Sequence, residues 1–102
     1  MKKVLKFKFD EKEGFLSVVE RDNNLYALVQ KDTPKIKEIK ETNKLLISYE
    51  LKQPIYEETQ VKVLDDQTLT AWVYHQLEEE KNLYFKELND TLCVLEIPIK
   101  SL

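Results

Sequence analysis

Lys31-Asp32-Thr33-Pro34-Lys35-Ile36-Lys37-Glu38-Ile39 lies between two apolar runs, Leu25 to Val29 before it and Leu45 to Leu51 after it. That order predicts a strand, a short helix and a strand. Thr33 is a good helix cap, and Pro34 suits a first turn, where its missing N–H costs nothing. Ile36 and Ile39 stand three apart and share one helix face. The helix should end near Thr42-Asn43. A helix of this length does not hold in water alone, so it has to dock on the sheet.

The same corner carries the strongest chemical signal in the chain. A helix start leaves backbone N–H groups unpaired and carries about half a positive charge. Phosphate binds there readily. Thr33 adds a hydroxyl, and Lys31, Lys35 and Lys37 add cations. Residues 31–44 hold five lysines against three acids, in a chain whose net charge is −3. The plainer reading is a solvated lysine face with Thr33 as a cap only.

Outward from this corner, the pattern alternates between strands and turns. Val4 to Phe9 places Leu5, Phe7 and Phe9 on one face, with Lys6 and Lys8 on the other, the period of a half-buried strand. Asp10 to Gly14 reads as a polar connection ending in the only glycine. Phe15 to Glu20 is a second strand. Arg21-Asp22-Asn23-Asn24 is a tight turn built from residues that tolerate left-handed angles. Leu25 to Val29 returns as a hairpin partner. Glu57 to Leu64 is another strand, broken from Leu45–Leu51 by Gln53-Pro54. After Asp65-Asp66 the period changes. Leu69, Trp72, Val73 and Leu77 form the stripe of an amphipathic helix over Thr68 to Gln76, ended by Glu78-Glu79-Glu80-Lys81. Leu83 to Leu88 is ambiguous. Asn89-Asp90 is a turn and Thr91 to Ile99 a last strand, with Pro98 marking an edge or exit.

The order β-β-β-α-β-β-α-β lacks the alternation of a doubly wound fold. It predicts a mainly β (α+β) protein: a small, mostly antiparallel barrel with two short helices, in a single domain over residues 1–102. The 42% hydrophobic share and ten aromatic residues argue for a folded chain. One glycine excludes glycine-rich nucleotide loops. A single cysteine, Cys93, excludes an internal disulfide and a thiolate metal cluster. In Leu92-Cys93-Val94-Leu95 it reads as a small buried hydrophobe. His75, the lone histidine, lies off the helix stripe and has no signalled partner, so no metal site is expected. Glu57-Glu58 and Glu78-Glu79-Glu80 read as solvated charge rather than paired catalytic acids. Lys2, Lys3, Lys6 and Lys8 could touch nucleic acid, but the acidic balance argues against that partner. The charged start interrupts any signal-peptide core, and no stretch approaches a membrane span, so a cytoplasmic protein is expected.

Read with its flanks, residues 25–49 resemble the pyridoxamine 5′-phosphate oxidase-like proteins. Those proteins show an aromatic-rich strand, a small hydroxyl residue, a lysine, a short helix ending in asparagine, then an apolar strand. Tyr26, Thr33, Lys35 and Asn43 stand in those places. Val61-Lys62-Val63-Leu64-Asp65-Asp66, followed by Trp72, resembles the family's later strand, acidic pair and tryptophan helix. The resemblance implies a split β-barrel that dimerises and holds FMN at the subunit interface, where it serves as a flavin-dependent oxidoreductase if it is an enzyme. It implies Thr33 and Lys35 at the phosphate and Val29 and Gln30 beside the isoalloxazine. Trp72, Tyr26, Tyr49 and Tyr74 are candidates for stacking on the flavin or for a dimer interface, with burial as the default. The chain departs from the pattern in lacking an upstream flavin-gripping arginine, since Arg21 sits in a turn. Lys44 also stands where proline is common. The alternative is therefore a degenerate barrel that has lost the cofactor and acts as a non-enzymatic dimeric binding or stress-associated module.

Overall fold

The computed structural model describes residues 3–99. Nine elements follow in order: β1 (Lys3–Phe9), β2 (Lys12–Arg21), β3 (Asn24–Gln30), α1 (Pro34–Thr42), β4 (Lys44–Ser48), β5 (Glu57–Gln60), β6 (Lys62–Leu64), α2 (Gln67–Glu79) and β7 (Leu92–Pro98). The strands form one antiparallel sheet in the order β5-β4-β1-β2-β3-β7-β6. The expected strand 57–64 is continuous apart from Val61. Its first half pairs with β4 and its second half with β7. At the hinge the Val61 N–H donates to Asn43 O at 2.9 Å. One segment thus joins the two ends of the sheet, and the sheet becomes a nearly closed barrel, as the mainly β reading predicts.

Side-chain alternation sorts the residues into two apolar layers. Leu5, Leu16, Val18, Leu25, Ala27 and Val29 point inward, with Leu45, Ile47, Val61, Cys93, Leu95 and Ile97. Ile36 and Ile39 of α1 join that interior cluster. Tyr26, Leu28, Leu92 and Val94 point outward and pack beneath Val73, Tyr74 and Leu77 of α2. The inner strands β3 and β7 are therefore covered on both faces, and they read in the sequence as continuous apolar runs rather than alternating ones. β1 faces solvent on one side and keeps its alternation.

Helix ends follow the expected chemistry. Thr33 Oγ1 accepts from Ile36 N at 3.3 Å and donates to Gln30 O at 3.1 Å. Asn43 closes α1 in the left-handed region (φ 59°), and its N–H reaches Ile39 O at 2.7 Å. The acidic pair divides its roles. Asp66 caps α2 by accepting from Leu69 N at 3.1 Å, whereas Asp65 pairs with Lys31 at 3.3 Å. α2 runs a turn longer than the expected Thr68 to Gln76 because this cap lies one residue earlier and the last turn continues through Glu79.

Three expectations need correction. The chain between β1 and β2 turns on Asp10-Glu11, at φ 53° and 69°, and Gly14 lies inside β2 opposite Phe7. β4 stops at Ser48 rather than Leu51. The buried Ser48 hydroxyl donates to Glu50 O and accepts from Glu50 N and Ile55 N at 2.9–3.0 Å, so it folds the chain back on itself. Residues 83–88 are neither helix nor strand. Pro98 sits where β6 has already ended, opposite Asn24 of β3 only, so it removes no ladder bond on its open side. Among the described residues, no helix is long and apolar enough to cross a membrane.

Two measurements follow from this packing. Val61 is fully buried at the seam of the barrel, and Val61→Ala should cost about 2 kcal/mol or more in urea unfolding, from lost burial and the cavity left behind. Cys93 is fully buried, and burial pushes its thiol from 9.0 up to about 11. The unfolded chain then ionises first, so this thiol makes stability fall as pH rises from 9.0 towards about 11. Cys93→Ala should flatten that part of the alkaline unfolding profile, and the wild-type thiol should resist thiol reagents until the protein unfolds.

Candidate functional site

A cleft of about 550 Å³ opens where β1, β2 and β3 meet the start of α1 and the loop after α2. Such a volume lies in the range of small-molecule sites, about 300–1,000 Å³. Val29, Gln30, Thr33 and Lys35 all line it. The corner read from the sequence is thus one wall of a real concavity. Val29 contributes from the barrel interior, and Gln30 is exposed at the mouth.

The corner's polar groups are less free than their spacing suggests. The Thr33 hydroxyl is committed in both directions, to Gln30 O and from Ile36 N. Lys31 is tied to Asp65, and Lys37 is exposed on the outer face of α1. Because Pro34 has no N–H and Ile36 N is capped, Lys35 N is the first-turn donor that neither the helix nor Thr33 Oγ1 satisfies. Lys35 is also the one cationic side chain among the lining residues. Its Nζ lies 4.2 Å from the centroid of the Phe7 ring. Burial pushes its ammonium below the usual lysine range, while the ring face favours the charged form.

Phe7 reaches that position because of Gly14. A Cβ at Gly14 would stand 2.7 Å from two carbons of the Phe7 ring, inside any tolerable contact. The only glycine of the chain is therefore a packing residue in a strand, not a turn residue. It lets the ring lie across β2 with the Lys35 ammonium against it.

The opposite wall is aromatic: Phe15, Tyr84 and Phe85, with Leu16, Leu28 and Leu77 below. Tyr84 and Phe85 meet edge to face at 5.4 Å. They come from the irregular loop after α2, which Asn82 anchors by donating to Lys3 O at 3.0 Å and accepting from Ser17 Oγ at 3.1 Å. These aromatic residues were not singled out from the sequence. Phe15 stood only as the first residue of the second expected strand. Nothing local marks Tyr84-Phe85.

The aromatic residues that were singled out lie elsewhere. Trp72 sits on the outer face with the Arg21 guanidinium 4.4 Å from its ring and Tyr26 edge-on at 6.3 Å. Tyr26 is buried beneath α2, Tyr74 is buried on the inner side of α2 itself, and Tyr49 is exposed beyond β4. None of the four lines the cleft. His75 is exposed on α2, 3.6 Å from Glu78. Among the described residues no cluster of His, Cys, Asp or Glu could hold a metal ion. Of the N-terminal lysines, Lys2 lies outside the described residues. Lys3 pairs with Glu20, Lys6 lies 3.8 Å from Glu13, and Lys8 sits over Tyr56.

Together, fold and cleft define a small antiparallel barrel with an aromatic-walled groove at a helix start. No protein-family model matches the chain, and no curated protein matches it. A solved structure from Listeria innocua, provisionally assigned as a pyridoxamine 5′-phosphate oxidase, does. The TM-score is 0.58 at 15% identity, over 92% of this chain and 79% of that one. Identity this low makes the likeness one of fold.

The Gly14–Phe7 contact is open to a direct test. Gly14→Ala should destabilise the protein by about 1–3 kcal/mol through overpacking. In a Phe7→Leu background the same change should cost much less. A double-mutant cycle in urea reads the difference, and additive costs would show that the two residues do not compete for the space.

Proposed function

We propose that this chain is an FMN-binding barrel related to the pyridoxamine 5′-phosphate oxidase-like flavoproteins, and that the cleft takes the cofactor. One observation carries the reading: the four residues that the family resemblance assigns to FMN, Val29, Gln30, Thr33 and Lys35, line a single cleft. The fold likeness to the Listeria protein supports it.

The residues present suit the group. Phe7 on one side and Phe15 and Phe85 on the other offer apolar faces to a flat ring system. The Lys35 ammonium and the Lys35 N–H offer a cation and a backbone donor for a phosphate at the start of α1. Thr33 holds that helix start in shape rather than supplying a free hydroxyl. Bound FMN would supply hydride or electron transfer at its ring. The chain's own part is to seat the ring against the apolar wall, exclude water from it, and fix the phosphate end through Lys35.

In this reading the protein works as a homodimer, with a second copy over the mouth of the cleft. The support is the exposure of the rim: Phe15 is 63% and Tyr84 84% exposed. The second reading is the barrel that has kept its fold and lost its flavin. Its support is the absence of an arginine among the lining residues, Arg21 being stacked on Trp72 instead.

Titration of the purified protein with FMN separates the two. The first reading expects quenching of flavin fluorescence, and Lys35→Ala should weaken binding by at least about tenfold, the loss of a hydrogen-bonded charge. No quenching leaves the cofactor-free barrel. Sedimentation at working concentration reports the dimer as twice the 12.2 kDa chain mass.

A further inference from the structure

We infer that the cleft is a covalent site for aromatic aldehydes, with the Lys35 amine forming an imine to the carbonyl while the ring of the ligand lies against Phe7, Phe15 and Phe85. The inference rests on the cleft and not on the flavin reading.

The argument starts from how this lysine differs from its neighbours. Lys3, Lys6, Lys31 and Lys44 each stand within ion-pair reach of a carboxylate. Among the described residues Lys35 has no such partner, and its Nζ lies 4.2 Å from the centroid of the Phe7 ring. It is half-buried at the edge of a space large enough for a ring-bearing ligand. An amine placed against apolar wall without a counter-ion is the arrangement that activates lysine as a nucleophile. Burial favours its neutral form.

The remaining lining narrows the ligand. The two hydroxyls nearest the amine wall are already engaged, Thr33 with Gln30 and Ile36, and Ser17 with Asn82. The surfaces left to meet a ligand are chiefly aromatic and aliphatic, with the Gln30 amide and the Tyr84 hydroxyl at the rim and one amine among them. A flat aromatic ring answers the walls, and an electrophilic carbonyl answers the amine. No lining carboxylate opposes or repels the ligand.

The step balances without an oxidant or a reductant. The ammonium first gives one proton to solvent. The Nζ lone pair attacks the carbonyl carbon, and the C=O π pair moves to oxygen, which takes up a proton. The nitrogen loses a proton, the hydroxyl leaves as water after a second protonation, and the resulting iminium gives its remaining N–H proton to solvent, leaving a neutral C=N bond.

The test uses the purified chain with 2-hydroxybenzaldehyde near neutral pH, cyanoborohydride to reduce the imine, and peptide mapping by mass spectrometry. Lys35 should be labelled at least about tenfold faster than Lys37 and Lys40, which stand exposed on the same helix. Phe15→Ala alters only an exposed rim residue, so the variant should fold. It should slow labelling of Lys35 by the aromatic aldehyde and leave labelling by acetaldehyde unchanged. Equal labelling of Lys35, Lys37 and Lys40 would overturn the inference. So would a Phe15→Ala variant that matches wild type with the aromatic aldehyde. Loss of selective labelling with FMN binding intact removes the aldehyde site alone. Selective labelling without FMN binding removes the flavin reading alone.

Discussion

The barrel depends on one short segment belonging to two ladders. Residues 57–60 complete β4 and residues 62–64 complete β7, with Val61 at the change of partner. The Val61 N–H, which at a simple strand break would be left over, reaches Asn43 O. Asn43 is also the left-handed residue that ends α1. Helix termination and barrel closure are therefore one event in space. The interior that closure creates receives Ile36 and Ile39, so α1 is held from both its side and its end.

That placement of α1 is what makes a cleft. With the isoleucines turned inward, Lys35 is left pointing along the wall beside Phe7. Phe7 in turn lies flat because β2 has no side chain at position 14. Three residues from three elements thus set the position of one amine. The other wall comes from the loop after α2, whose start is pinned by Asn82 to β1 and β2. The cleft has one wall set by strand pleating and another set by a tethered loop.

Much of this was legible in the sequence, for identifiable reasons. Caps act over three or four residues, so Thr33, Asn43 and Asp66 announce their helices locally. The turn at Asp22-Asn23 is equally local, and its positive φ angles match the residues found there. The apolar runs in β3 and β7 marked them as strands, while their burial on both faces shows only in the fold. What was hidden depends on partners distant in the chain. Gly14 looked like turn chemistry because glycine is most often read that way, and only the register with Phe7 gives its purpose. Ser48 ends β4 through bonds to Glu50 and Ile55 that no propensity encodes. At the site, the lysines of the corner were visible as charges, but their division was not. Asp65 takes Lys31, while Lys35 turns to a ring contributed by β1. Tyr84 and Phe85 reach the cleft through a loop with no periodic signature, so nothing short of the fold could place them.

The Asn82 contact has a bearing on how this protein behaves among its own copies. β4 pairs with β1 only over Lys6 to Lys8, so the first residues of β1 have a ladder partner on the β2 side alone. A bare strand edge of this kind recruits further strands and seeds aggregation. Asn82 links the Lys3 carbonyl to the Ser17 hydroxyl of β2, so it holds this stretch of β1 against its one partner. The charged Lys3–Glu20 pair spans the same two strands, and a lysine at a strand edge discourages pairing with another chain.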